Sequence, residues 1–184
     1  MSDFDESYDF VVVGSGGGSM CSALLARKAG KSVLIIEKTS LIGGTTARSG
    51  GVMWIPNNRF MKRDGVEDSV DKAMAYLDNV VGDHNDTPGA TRARSYAYVR
   101  NGSEMVDFLI DEGVKLTRIS YWPDYYDDRP GGSEAGRTVV ADLFNVNELG
   151  EWKHKLRPNF MTMMSSLDDM LKMRFIKQSW GSKW

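Results

Sequence analysis

From Tyr8 to Val13 the chain reads Y-D-F-V-V-V, a short β-branched and aromatic run of the kind that forms a strand buried on both faces. After Gly-Ser-Gly-Gly-Gly at positions 14–18 the pattern changes to a helical one. Met20, Ala23, Leu24 and Ala26 form an apolar stripe that Gly30 stops. Val33 to Glu37, V-L-I-I-E, is a second apolar run. Strand, helix and strand within about 30 residues call for a right-handed parallel crossover, a βαβ unit over residues 8–38.

Glycine, threonine, serine and proline dominate residues 41–58, which predicts ordered loop. Asp68 or Ser69 can cap a helix carrying Val70, Ala73, Met74, Leu77 and Val80 and ending near Gly82. Thr87-Pro88 starts a second helix, to about Arg100, and Asn101 with Glu104 has the spacing of a capping-box variant opening a third, to Gly113. Lys115–Ile119 and Thr138–Ala141 are short strand candidates. Leu149–Leu156 and Met161–Phe175 read as helices, the latter with a methionine-rich packing face. Residues 66–184 are therefore expected to be mostly helical.

Composition narrows the function classes. The 184 residues carry 41% hydrophobic side chains, enough for a packed core, and a net charge of −2. No broad positive field exists to hold nucleic acid. Cys21 is the one cysteine, and His84 and His154 lack metal-ligand spacing, so a metal-free, reducing setting is expected. An acidic N-terminus without a signal-length apolar segment points to a cytoplasmic protein, with peripheral membrane contact left open.

The glycines carry the chemistry. A dinucleotide's diphosphate needs donors at close range, and a helix N-terminus offers unpaired N–H groups and about half a positive charge where no Cβ blocks the approach. Gly14 makes the turn out of the first strand, Gly16 admits the phosphates, and Gly17 and Gly18 relax the entry to the helix. Ser19 takes the third fingerprint position, where a small residue suffices. Glu37 ends the second strand 23 residues after Gly14, the place of an acid that accepts from ribose hydroxyls, and its charge disfavours a 2′-phosphate. A glycine-rich turn without ligand is the alternative. Lys38 reads as a solvated flank. The second glycine-rich loop, Gly43-Gly44-Thr45-Thr46-Ala47-Arg48-Ser49-Gly50-Gly51, offers N–H and hydroxyl groups along an extended ligand, which favours FAD over a nicotinamide cofactor.

Val13-Gly14-Ser15-Gly16-Gly17-Gly18, Glu37-Lys38-Thr39, Gly43-Gly44-Thr45-Thr46, Ser49-Gly50 and Trp54-Ile55-Pro56 resemble the 3-ketosteroid Δ1-dehydrogenases, within a parent group that includes fumarate-reductase flavoproteins. Trp122-Pro123-Asp124-Tyr125-Tyr126, Gly136-Arg137-Thr138, Leu149-Gly150 and Leu156-Arg157-Pro158 look like the ketosteroid branch. The resemblance spans Tyr8 to Pro158. It implies an α/β, Rossmann-like FAD-binding domain that is discontinuous, of which residues 1–184 form an N-terminal part completed by a later segment. It also implies FAD contacts from Gly14, Ser15, Gly16, Gly17, Gly18, Glu37, Lys38, Thr39, Gly43, Gly44, Thr45, Thr46, Ser49 and Gly50.

The chemistry so implied takes a hydride from C1 of a 3-keto-4-ene steroid to flavin N5 while a tyrosine removes a proton from C2. Tyr125 matches a tyrosine that assists the base, and the base itself is expected outside this chain, which alone is then inactive. Read from the residues, Tyr125 and Tyr126 could instead be a buried aromatic pair. Trp54 could line a substrate pocket or the core. Arg48 and Arg137 read as surface or structural ion pairs, and Cys21 as packing. A carboxylate reductase of the fumarate type and a non-catalytic FAD-binding remnant are the competing functions.

Overall fold

The structure, a computed structural model, describes residues 5–82, 89–159 and 169, and these fall into two compact units. One comprises residues 5–51 with 143–159, the other 52–82 with 89–142.

The first unit holds the βαβ crossover. β1 (Phe10–Val13) and β2 (Val33–Ile36) pair in parallel, Val11 opposite Leu34 and Val13 opposite Ile36, joined by α1 (Gly17–Lys28). Gly14, at φ +95°, turns the chain out of β1, and its N–H donates to the Ile36 carbonyl at 2.6 Å, fixing the turn against β2. Arg27 and Lys28 close α1 where its dipole favours cations, and Gly30 follows at φ +77°. At the other strand ends the Asp9 carboxylate accepts from Ser32 N–H and Oγ, both at 2.8 Å, which holds its pKa below the usual range.

β1 departs from the expected two-sided burial. Only Val12 is buried, and Val13 is 81% exposed. Among the described residues the sheet has two strands, so α1 is packed against a pair whose remaining surface stays open. Residues 143–159 return beside the second glycine loop. Val146–Lys155 is a 3-10 helix broken at Gly150 (φ 56°, ψ −132°), where a regular helix was expected over 149–156. Ile42 then pairs with Leu156: Ile42 N–H donates to Lys155 O and Arg157 N–H to Ile42 O, both at 2.8 Å. The helix expected over 161–175 lies outside the described residues.

In the second unit β3 (Met53–Trp54), β5 (Thr138–Ala141) and β4 (Leu116–Arg118) make an antiparallel sheet in that order. The stretch 41–58 is thus not loop throughout: Thr46–Arg48 forms a 3-10 turn and 53–54 a strand. A helix the pattern did not show, α2 (Arg59–Arg63), begins at Asn58, whose buried amide accepts from Phe60 and Met61 N–H and donates to Ile55 O at 2.6 Å. α3 (Val70–Val81) starts as expected on Ser69, which caps Lys72 N–H, and stops at Gly82.

The two helices expected on either side of Asn101 are one, α4 (Arg92–Asp111), capped by Thr91. Asn101 and Glu104 lie inside it because Gly102 packs on Ile55 and Ser103 Oγ donates to Asn57 O, so tertiary contact overrides the local capping signal. Ile55, Phe60, Val106 and Val139 form one core cluster, and Ala73, Met74 and Val99 a second. No helix of the described residues is long and apolar enough to cross a membrane.

Candidate functional site

The turn from β1 into α1 opens on a cleft of about 590 Å³, lined by Gly14, Ser15, Gly16, Glu37, Lys38, Gly44 and Thr45 together with Arg48 and Arg157. Gly16 caps α1 without a side-chain bond. Gly17 N–H donates to Thr46 Oγ1 at 2.9 Å, while Gly18 and Ser19 N–H have no acceptor among the described residues. A Cβ on Gly18 would meet nothing, so the approach to these donors is clear. Gly44 (φ +55°) comes so close that its Cβ would lie 3.3 Å from Gly16 Cα. Two stretches of bare backbone therefore face each other at the helix mouth, a cradle that side chains would fill.

Glu37 organises this cradle. Its Oε2 accepts from Ser15 N–H (3.1 Å) and Ser15 Oγ (2.6 Å), and its Oε1 from Thr39 N–H (3.1 Å); the Thr39 hydroxyl lies 3.2 Å from Oε1 and gives its proton to Leu41 O at 2.8 Å. Ser15 Oγ accepts in turn from Gly43 N–H at 2.9 Å, which ties the first glycine loop to the second. These bonds, the Ser15 hydroxyl's foremost, lower the Glu37 pKa from 4.5 to about 2, so the carboxylate is ionised at neutral pH.

The expected cofactor residues thus divide. Gly14, Ser15, Gly16, Glu37, Lys38, Gly44 and Thr45 line the cleft, Gly17 and Gly18 supply its helix mouth, and Thr39, Gly43 and Thr46 hold those groups in place. Ser49 and Gly50 do not line it: Ser49 Oγ donates to Thr46 O and accepts from Gly51 N–H, both at 3.0 Å, closing the 3-10 turn. Arg48, read as surface or ion-paired, makes no ion pair among the described residues and borders the cleft. Arg157, to which no role was attached, sits beside it.

Tyr125 belongs to the second unit and lines a smaller cleft of about 210 Å³ with Trp54, Tyr76, Leu77, Trp122 and Pro123. It is 84% exposed and Tyr126 is also exposed, which removes the reading of a buried aromatic pair. The neighbours of Tyr125 are fixed instead. Asp124 is buried, with Oδ1 accepting from Trp54 Nε1 (2.7 Å) and Oδ2 from Ser133 N–H (3.1 Å) and Arg137 Nη1 (2.8 Å), while Tyr126 N–H donates to Tyr76 OH. Arg137 is fully buried, so it is a structural ion pair and not a surface one; it also donates to Asp68 at 2.6 and 2.9 Å and stacks over Trp54 and Tyr76. Trp54 thus serves both readings, lining the cleft and anchoring its floor. Burial pushes the Tyr76 phenol and the Cys21 thiol up, which keeps both neutral. No cluster of three or more possible metal ligands occurs among the described residues.

A parallel βαβ crossover whose glycine turn opens an uncovered helix mouth, with an ionised acid at the end of the second strand, defines a dinucleotide-binding domain. The chain belongs to the FAD binding domain family, which matches residues 9–178. FAD is the cofactor of that family, and the bare glycine cradle, the open first-turn donors and the buried Arg157 Nε, without an acceptor among the described residues, all suit a dinucleotide diphosphate. It is 38% identical over 178 residues to a 3-oxosteroid 1-dehydrogenase of Mycolicibacterium smegmatis, covering 94% of this chain and 30% of that protein. Over 145 residues it is 41% identical to a 4-oxocyclohexanecarboxylate 2-dehydrogenase of Sinomonas cyclohexanicum, covering 78% of this chain and 24% of the relative. A solved 3-ketosteroid Δ1-dehydrogenase from Sterolibacterium denitrificans, in complex with 1,4-androstadiene-3,17-dione, superposes with a TM-score of 0.73 at 32% identity, covering 96% of this chain and 35% of that one. The chain spans about a third or less of the length of these relatives.

Proposed function

We propose that this chain provides the FAD site, and one wall of the substrate site, of a dehydrogenase that desaturates a ring ketone of the 3-ketosteroid type. The observation that carries the reading is the Glu37–Ser15–Gly43 latch, which holds both glycine loops open around the helix mouth in advance of ligand. Both dehydrogenases named above act two bonds from a ring oxo group, which supports a ketone whose neighbouring C–H is acidified by enolate formation.

FAD, when bound, supplies the acceptor for the hydride that leaves the substrate. The residues of this chain do the rest. Gly18 and Ser19 N–H would hold the diphosphate, with Gly16 and Gly44 giving it room, and Glu37 would accept from a ribose hydroxyl at the position that its bonds from Ser15 N–H, Ser15 Oγ and Thr39 N–H leave open. Trp54, Tyr76 and Trp122 offer an apolar wall to a flat alicyclic substrate. Tyr125 presents its phenol at the rim, where it donates a hydrogen bond to the base that takes the C2 proton and so stabilises that base's anion.

Two titrations of the purified chain test this. FAD binding is followed by flavin fluorescence, and 1,4-androstadiene-3,17-dione binding by the tryptophan emission that Trp54 and Trp122 contribute. Binding of both supports the proposal. FAD binding without a steroid response refutes the ketosteroid part, and no FAD binding refutes the whole.

A further inference from the structure

The segment 155–157 comes back to the cofactor loop and delivers a cation there. Arg157 lines the cleft beside Glu37 and Gly44. One terminal nitrogen, Nη2, donates to Thr39 Oγ1 at 3.0 Å and weakly to Leu41 O at 3.5 Å. Its Nε is buried and has no acceptor among the described residues. A buried, charged donor left without a partner is costly, and native proteins rarely leave one so unless a ligand or ordered water completes it. Arg157 also makes no ion pair with a carboxylate among the described residues.

Charge decides which ligand. Lys38, Arg48 and Arg157 border the cleft against one acid, Glu37, and that acid is already held by Ser15 N–H, Ser15 Oγ and Thr39 N–H. Uncompensated positive charge beside an open helix N-terminus matches a diphosphate, and the planar guanidinium can offer it two parallel donors.

We propose that Arg157 is a ligand of the diphosphate of the bound dinucleotide, brought to the glycine cradle by the Ile42–Leu156 pairing. The segment 155–157 is then part of the cofactor site and not only packing for residues 39–42. This rests on the FAD-binding reading.

The test is calorimetric titration of the intact chain, in its wild-type, Arg157→Ala and Arg157→Lys forms, with FAD, ADP and adenosine. The alanine variant is expected to bind FAD and ADP about tenfold or more weakly, the worth of one charge-assisted contact, with a shallower salt dependence. Adenosine, which has no phosphate, is expected to bind all three forms alike. The lysine variant, which keeps the charge, is expected to recover part of the loss. Equal losses for adenosine and ADP would show that Arg157 only ties the segment to Thr39, and unchanged FAD and ADP affinities would overturn the proposal outright. Wild-type protein that binds neither FAD nor ADP would refute the FAD-binding reading itself.

Discussion

Replacing Arg137 with methionine is expected to cost the second unit about 3–5 kcal/mol, the penalty for removing one partner of a buried ion pair. Arg137 is fully buried, and the side chains of Asp68 and Asp124 are 1% and 2% exposed. Three hydrogen bonds of 2.6–2.9 Å leave with the guanidinium. Asp68 then keeps Asn57 N–H, and Asp124 keeps Trp54 Nε1 and Ser133 N–H, but two buried negative charges remain without a cation. Methionine fills much of the vacated volume, so a cavity adds little and the loss isolates the charge. Against a typical total of roughly 5–15 kcal/mol, that is about a fifth of the stability or more. Urea unfolding followed at 222 nm, to which α3 and α4 contribute, reads the change as a shift in midpoint at constant slope. Adding Asp124→Asn to Arg137→Met removes one of the stranded charges, so the double variant should lose less than the sum of the two singles by at least about 1 kcal/mol. A single-variant loss below about 1 kcal/mol, or strict additivity, would refute the argument from burial.

Acid should loosen the cofactor unit in a defined window. The folded-state pKa of Glu37 is depressed, so its contribution is present above pH 4.5 and disappears as pH falls toward about 2; Glu37→Gln should flatten that part of an acid-unfolding curve, and superimposable curves would deny the latch. Gly131→Ala should destabilise the second unit by more than the ~1–3 kcal/mol of its left-handed backbone (φ +78°), because the new Cβ would press on Lys72 O and Tyr76 N; a thermal midpoint within a degree of wild type would contradict the packing. On the proposed function, Tyr125→Phe in a longer form of the protein that turns over 3-ketosteroids should leave FAD bound and slow the reaction about tenfold to a hundredfold, the worth of one transition-state hydrogen bond; an unchanged rate would remove Tyr125 from the site.

What could be read from the sequence was local. β1, α1 and β2 were visible because each is set by a short run with its own period, and Gly14 and Gly30 do what glycine does at a turn and a helix end, at φ +95° and +77°. The exposure of Val13 was not visible, since burial depends on neighbouring strands that a run of valines cannot report. Asn101 and Glu104 misled for the opposite reason: their spacing is a real capping signal, cancelled by Ile55, which packs on Gly102 from far along the chain. Distance also hid the charges. Arg137 meets Asp68 across 69 positions and Arg157 meets Thr39 across 118, and no pattern of residue types announces either meeting. A cation inside a conspicuous motif, such as Leu156-Arg157-Pro158, was the one available hint for the second.

The geometry changes the part assigned to the strand-end acid. A carboxylate has about four acceptor sites, and in Glu37 Ser15 N–H, Ser15 Oγ and Thr39 N–H use three, while the single proton of the Thr39 hydroxyl goes to Leu41 O at 2.8 Å. A ribose hydroxyl therefore has one acceptor position to take, and the gain from that contact is a single hydrogen bond. The larger effect of the charge comes earlier. By holding Ser15 N–H and Oγ, with Oγ free to accept from Gly43 N–H, the anion fixes the first glycine loop to the second and keeps the helix mouth uncovered before any ligand arrives. Affinity follows from that preorganisation, because a loop already ordered costs less to bind. A substitution at Glu37 and one at Ser15 should then weaken FAD binding through the same lost connection, and combining them should weaken it little further.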